Sequence, residues 1–442
     1  MRIEMVKFKS GERYPFLLQE DGTPDFWVTH FVTQKLRKNS AARTIEGYLT
    51  NIRHLKKWEQ INDRDLLEEI YEGKVPNRED IKRILEHCYL RSTSLEIDKA
   101  SKVVDMSKYS SSTVEDLPTI SRGQYVTRIG HITDYLHFIG QERVKHKPTA
   151  TMLFDQLDKM SKLLKSGLPK SRARKLKFDR STIPDDAFED FVSVADPYSK
   201  YNPFKNKAVR FRNYLIVQIL NETGFRVGEV VGLQIGDIGQ DIDKPTLTVE
   251  RRHDNEHDPR KREPTAKTKG RSNQISKELR DLLMDYVKYC RSQTNLFHTH
   301  PYIFVSHKDK QGSYESGTPI TTQTVTDLFS LIRQANPERF MGITPHQFRH
   351  YFNHRLSKQL DDKRREIRQE VERLEREGLH ISARQYAEEN GITDQRELEI
   401  RAELNGHTNV SSGEHYLKRT TRLRAEEANR QVLEKLANKL KG

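Results

Sequence analysis

The sequence predicts a mainly α protein carrying a small β-sheet, an α+β fold dominated by helices. Three observations carry this expectation. Apolar residues recur every three or four positions through most windows, strand-like runs are confined to a few short stretches, and turn residues punctuate the helical segments. Within 44–58, Ile45, Tyr48, Leu49, Ile52, Leu55 and Trp58 share one helical face, and within 121–140 Tyr125, Ile129, Ile132, Leu136 and Ile139 do the same. Both stripes read as core packing.

The elements follow in order. Residues 1–25 alternate weakly and carry turn signals at Ser10-Gly11 and Asp21-Gly22, which predicts a short N-terminal β arm. Residues 26–165 read as one helical domain, interrupted by a Ser- and Thr-rich stretch, 92–118, expected to be a loop. A basic linker spans 166–180. The run KLLKSGLPKSRARKLKFDR (162–180) holds eight Lys/Arg against one acidic residue, Asp179, around a Gly-Leu-Pro break. Such a segment between two domains suits a phosphate backbone, with Lys170, Arg172, Arg174, Lys175 and Lys177 as the contacts.

A second domain is expected over 181–442. It opens with an apolar helix (211–222), followed by TGFRVGEVVGLQIGDI, a strand-like PTLTVERRH (245–253) and a stretch KTKGRSNQIS (267–276) whose tail reads as a returning strand. Helices are expected at 277–291 and 322–335. The next helix begins in TPHQFRHYFNH (344–354), where Thr344 is placed to cap, Pro345 suits the first helical position and Gln347 follows Thr344 by three. A charged insertion, about 360–396, reads as a solvated helix or helical hairpin broken at Glu377-Gly378, with Ile367, Val371 and Leu374 as a thin seam. The chain closes on an amphipathic helix, 422–440, marked by Val432, Leu433, Leu436 and Leu440.

Composition narrows the partner. The chain has 442 residues, 34% hydrophobic and 32% charged, with a net charge of +13 and an isoelectric point near 9.4. That balance fits a polyanion such as nucleic acid. No apolar run approaches the roughly 18 residues that span a bilayer, and MRIEMVKFKSGER lacks a signal-peptide core, so no membrane association is expected. A cytoplasmic, nucleoid-associated location follows. Cys88 and Cys290 suit free thiols in a reducing compartment, with a disulfide as the alternative.

Four short motifs carry the chemistry. Arg226 stands in TGFRVGEVVGL with Glu229 three residues on, Lys267 in AKTKGR, His346 and Arg349 in HQFR, and His407 in GHTNVSSGEHYLK nine residues before Tyr416. Attack on a phosphodiester gathers negative charge on the non-bridging oxygens, which paired guanidinium donors match and which they meet while fully charged. Arg226 and Arg349 can supply by fixed hydrogen bonds what other nucleases obtain from metal ions. A tyrosine phenol can act as the nucleophile once its proton is accepted. The phosphotyrosine that results conserves the broken bond's energy, so rejoining needs no ATP. A departing 5′ oxygen needs a proton donor, a role for a lysine on a hairpin.

In order and spacing these motifs resemble the tyrosine recombinase, or phage integrase, family. The resemblance implies a helical SAM-like core-binding domain at 26–165 and a recombinase catalytic domain at 181–442, clamped around double-stranded DNA. It implies catalytic roles for Arg226, Lys267, His346, Arg349, His407 and Tyr416, with Glu229 and His350 in support and neither cofactor nor metal. Lys269 competes with Lys267 for the lysine role. Lys269 and Arg271 are further candidate DNA contacts. Zinc on His346, His350 and His354 is disfavoured, because position 347 is Gln where a metalloprotease helix needs Glu.

The family further implies a homo-tetramer on two DNA sites, helix 422–440 docking on the adjacent subunit, and accessory directionality or DNA-bending proteins. Integration and excision of a mobile element is the activity expected. Sharing the phosphotyrosine chemistry are type IB topoisomerases and telomere resolvases; a non-catalytic DNA-binding regulator is the alternative of another class. Two departures stand out. Asn405 precedes Gly406-His407 where the family generally has Leu, and the charged insertion separates Arg349 from His407. The insertion could contact a neighbouring subunit or be inert decoration.

Overall fold

The computed structural model describes residues 1–91, 119–167, 183–264, 269–308 and 315–413. The chain divides into two compact bodies, Met1–Phe178 and Asp179–Gly442. Outside the described residues lie the 92–118 stretch, the basic positions from Lys170 to Lys177, Lys267, Tyr416 and the segment 422–440, expected to be a helix.

In the first body, β1 (Arg2–Lys7) and β2 (Arg13–Leu18) form an antiparallel hairpin pairing Arg2 with Leu18 and Lys7 with Arg13. Helices follow: α1 (Phe26–Phe31), α2 (Ala42–Ile61), α3 (Leu66–Tyr71), α4 (Arg78–Tyr89), α5 (Arg122–Val144) and α6 (Ala150–Ser166). Local chemistry sets their starts. Asp25 accepts from the Val28 N–H, while Asn77 with Asp80 and Ser121 with Gln124 form reciprocal capping boxes. The two predicted stripes face one core: Leu49, Ile52 and Leu55 on α2 and Ile129, Ile132, Leu136 and Ile139 on α5 are each 0% exposed.

The second body contains α7 (Asp185–Ala195), α8 (Lys207–Thr223), α9 (Val227–Gly232), β3 (Thr246–Val249), β4 (Arg271–Gln274), α10 (Lys277–Asp285), α11 (Thr322–Ala335), α12 (Pro337–Phe340), α13 (Pro345–Arg376), α14 (His380–Asn390) and α15 (Asp394–Asn405). Strands β3 and β4 pair antiparallel, Thr246 opposite Gln274 and Val249 opposite Arg271. A cluster of phenylalanines seats the N-terminal half of α13. Phe191 of α7 meets Phe329 of α11 at 5.0 Å and Phe348 of α13 at 5.7 Å between ring centroids, a mutual packing that adds to area burial. The α+β expectation holds, with helices dominant and two small two-stranded sheets among the described residues.

The charged insertion is a helical hairpin. Helix α13 runs 32 residues without a break, turns at Gly378 with a φ of +78° and returns as α14. Of the expected seam only Ile367 is buried, while Val371 and Leu374 are half-buried. Cys88 and Cys290 are free, the first buried and the second half-buried, which excludes the disulfide alternative. Among the described residues no helix is long and apolar enough to cross a membrane.

Candidate active site

Three elements of the second body meet around Arg349. The first is the corner between α8 and α9. Helix α8 ends at Gly224, whose φ is +62°, and a Cβ there would sit 2.7 Å from the Phe352 ring. Both the backbone conformation and the missing room demand glycine. The chain then reverses through Phe225 into Arg226, the N-cap of α9.

Glu229 locks that corner. Its side chain has no exposed surface. One oxygen accepts the Arg226 backbone N–H at 2.9 Å, and the other lies 3.3 Å from Arg226 Nη1. The Arg226 side chain remains 36% exposed, so its guanidinium is held at the root while reaching solvent.

The second element is α13. Thr344 accepts the Gln347 N–H at 3.3 Å and Pro345 occupies the first turn, as the sequence predicts. His346 is exposed on that first turn, where backbone N–H groups and the helix dipole favour an anion. One turn on, Arg349 is 2% exposed. Its Nη1 donates to the Gly224 carbonyl at 2.9 Å, and its Nη2 to the Asn405 carbonyl at 3.0 Å. His350 packs its ring on His346, centroids 4.5 Å apart. His354 turns away to Asp185, 3.8 Å distant.

The third element is the C-terminus of α15. Gly406 closes the helix in the left-handed conformation, φ +64°, and delivers His407, whose Nε2 lies 3.3 Å from Arg349 Nη2. The β3–β4 hairpin joins here: the Lys269 backbone N–H donates to the Gly406 carbonyl at 3.1 Å, leaving the Lys269 side chain exposed. Lys269 therefore stands beside the His407 turn.

Arg271 departs from its expected role as a DNA contact. It is 9% exposed and donates to Glu229 at 2.7 Å and to the Leu404 carbonyl at 2.9 Å. Its guanidinium also covers the Phe225 ring at 4.7 Å. The reason is strand parity. Arg271 and Asn273 lie on the buried face of β4, and Asn273 donates to the same Leu404 carbonyl at 3.1 Å. Arg271 thus ties Glu229 to α15.

Arg349 thereby links the α8–α9 corner that carries Arg226 to the His407 turn, with His346 one helical turn before it on α13. The class of chemistry this defines is binding and polarisation of a phosphate-sized anion by fixed cationic donors. Asn353, Arg401 and Asn405 also back this arrangement and were missed as such by sequence reasoning. The available signals were the spacing of Asn353, four after Arg349 on the same helix face, and the i,i+4 pair Glu397–Arg401.

Comparison with known proteins identifies a domain within the second body. Residues 196–365 match the phage integrase family, so the second body carries a domain of that family. Arg226, His346 and Arg349 fall inside the matched segment. The match ends within α13, before His407. Solved structures similar to this chain include XerA recombinase, at 15% identity over 88% of this chain and 92% of that one, TM-score 0.31. Another is XerH site-specific recombinase bound to a palindromic difH substrate in a post-cleavage complex, at 16% identity over 80% and 96%, TM-score 0.37. The Tn1549 transposon integrase (residues 82–397) in complex with circular intermediate DNA is 16% identical over 79% and 94%, TM-score 0.36. No curated protein sequence matches.

Proposed function

We propose that the protein breaks and rejoins double-stranded DNA at specific sites through a 3′-phosphotyrosine formed on Tyr416, integrating and excising a mobile element without metal or ATP. The observation that carries this reading is the placement of Arg349. A guanidinium held by two carbonyls and next to His407 has a fixed direction, and the half-exposed Arg226 stands on the corner whose Gly224 carbonyl fixes it.

In the cleavage step the Tyr416 oxygen attacks phosphorus, the bond to the 5′ oxygen breaks, and the phenol proton passes to a base, for which His346 is suited. Arg226 and Arg349 bind the non-bridging oxygens as charge grows on them, and His407 donates to one of them. A proton from Lys267, or from Lys269 beside the His407 turn, completes the 5′ hydroxyl. Rejoining is the reverse attack by a 5′ hydroxyl, with each proton returning.

The net charge of +13 supports DNA as the partner, with the 166–180 segment tracking its backbone. A tetramer on two DNA sites, with accessory directionality or DNA-bending proteins, belongs to the same reading. The hairpin fits phosphate poorly, since 360–396 holds eight basic and ten acidic side chains. That balance favours a protein neighbour or plain solvation.

Suicide-substrate trapping tests the proposal. Wild-type protein should form a covalent complex with a nicked duplex taken from its own bound DNA. Tyr416→Phe should form none while binding within about twofold, since the loss is one hydroxyl. An adduct on the phenylalanine variant would remove Tyr416 from the mechanism.

A further inference from the structure

Behind Arg349 the contact between α13 and α15 is buried and polar. Asn353, one turn beyond Arg349, donates through its side-chain amide to the Arg349 carbonyl at 2.9 Å and to Asn405 Oδ1 at 3.1 Å. Asn405 returns the contact, its amide donating to Asn353 Oδ1 at 3.0 Å and to the Arg401 carbonyl at 2.9 Å. Both asparagines are buried, at 1% and 0% exposed.

Arg401 extends the set. It donates to the Asn353 carbonyl at 3.1 Å, to Ser357 Oγ at 2.5 Å and to Glu397 Oε1 at 2.6 Å. The Arg401 and Glu397 side chains have no exposed surface. Glu397 then meets Arg364 at 2.8 Å, and Arg364 donates to the Ile392 carbonyl at 2.9 Å, at the base of the charged hairpin.

Holding two helices together does not require this arrangement. Aliphatic side chains of similar volume would do so without desolvating an ion pair. Buried polar contacts instead give direction. The Asn405 carbonyl accepts from Arg349 Nη2, and the left-handed turn that follows Asn405 delivers His407. One residue thus sets a carbonyl for the arginine and the start of the histidine turn, and its side chain is fixed by Asn353 on the arginine's own helix.

We propose that Asn353, Asn405, Arg401 and Glu397 form a positioning latch for Arg349 and His407, joined through Arg364 to the base of the hairpin. The proposal rests on the strand-transfer reading above. None of the four touches the reacting atoms. Their action is on the orientation of the two groups that do, and Arg364 makes that orientation sensitive to what happens at the hairpin.

The test uses full-length protein and a nicked duplex made from the DNA that crosslinks to it. Rate of covalent-complex formation at saturating protein and DNA affinity are measured separately. Asn353→Ala and Asn405→Ala should cleave about 10- to 100-fold more slowly, the scale of an ångström-level misplacement, with affinity changed by less than about twofold. Asn405→Ala should also displace the pH profile of cleavage, because His407 changes surroundings; loss of stability alone lowers the active fraction and leaves the profile in place.

Arg364→Ala, at a partly exposed position, and Ser357→Ala leave the amide pair intact. They should slow cleavage by about three- to tenfold, and they decide the matter if the asparagine variants do not fold. Folded variants that cleave at the wild-type rate, with an unmoved pH profile, overturn the latch alone. A wild-type protein that forms no covalent complex overturns the strand-transfer reading and the latch with it.

Discussion

The two bodies bury polarity in different ways. In the first, His54 of α2 and His87 of α4 exchange contacts with each other's backbone carbonyls, both at 3.1 Å. Burial pushes His54 down to about 3 and His87 down to about 4, with the Arg128 guanidinium adding to both shifts. They are neutral imidazoles closing two helices. In the second, ions are buried beside the neutral Asn353–Asn405 pair: Glu229 with Arg271, Glu397 with Arg401, and Arg349 on carbonyls. The neutral histidine pair serves packing. Buried ions cost much more to desolvate, and the Glu229–Arg271 and Glu397–Arg401 pairs each lie within one or two contacts of the Arg349–His407 corner.

If that contrast is right, breaking the second body's set should cost activity first. Arg349→Ala should lower the rate of covalent-complex formation by about 10²- to 10³-fold or more, the scale of losing one fixed donor at a developing oxyanion. Single-turnover cleavage at saturating protein checks it. A loss below tenfold would mean that Arg349 is a structural plug between Gly224 and Asn405.

Next in size is Glu229→Ala. It strands Arg271 in the interior and frees the Arg226 backbone, so it should destabilise the second body by about 3–5 kcal/mol, as expected for one partner removed from a buried pair. Denaturant unfolding measures this. A change within about 0.5 kcal/mol, typical of surface positions, would show that the pair is not held as described.

The smallest effect belongs to the first body and is read in pH. Both folded-state values lie below the ordinary histidine value of 6.5. The unfolded chain therefore binds protons that the fold refuses. Their stabilising contribution is complete above about pH 6.5 and is lost progressively as pH falls toward the folded values. Between pH 7 and pH 5 each should cost on the order of 1–2 kcal/mol. The wild-type melting temperature should fall over that range, and His87→Gln should flatten the slope. Equal slopes in the two proteins would contradict the assignment.

Much of this was legible in the sequence. The stripes of α2 and α5, the Thr344-Pro345 start of α13 and the Gly378 break each rest on local chemistry, and the structure realises them where spacing places them. The motif arginines and histidines were legible because their chemistry is rare in that order. What escaped was tertiary. Arg271 looks like a basic hairpin residue until strand parity turns it inward. Asn353 and Asn405 are 52 positions apart, and neither reveals in sequence that the other completes its hydrogen bonds. In sequence Asn405 stands out only as a departure from the family's Leu, although its side chain is buried against α13.

The central claim is that the phenol near the carboxyl end forms the bond to DNA. Digesting the trapped protein–DNA complex and sequencing the DNA-linked peptide by mass spectrometry tests it most directly. The account predicts a single modified peptide spanning GEHYLK with the nucleotide on Tyr416. A nucleotide on Tyr351 or Tyr386, or a complex that hydroxylamine cleaves as an acyl phosphate, would contradict it.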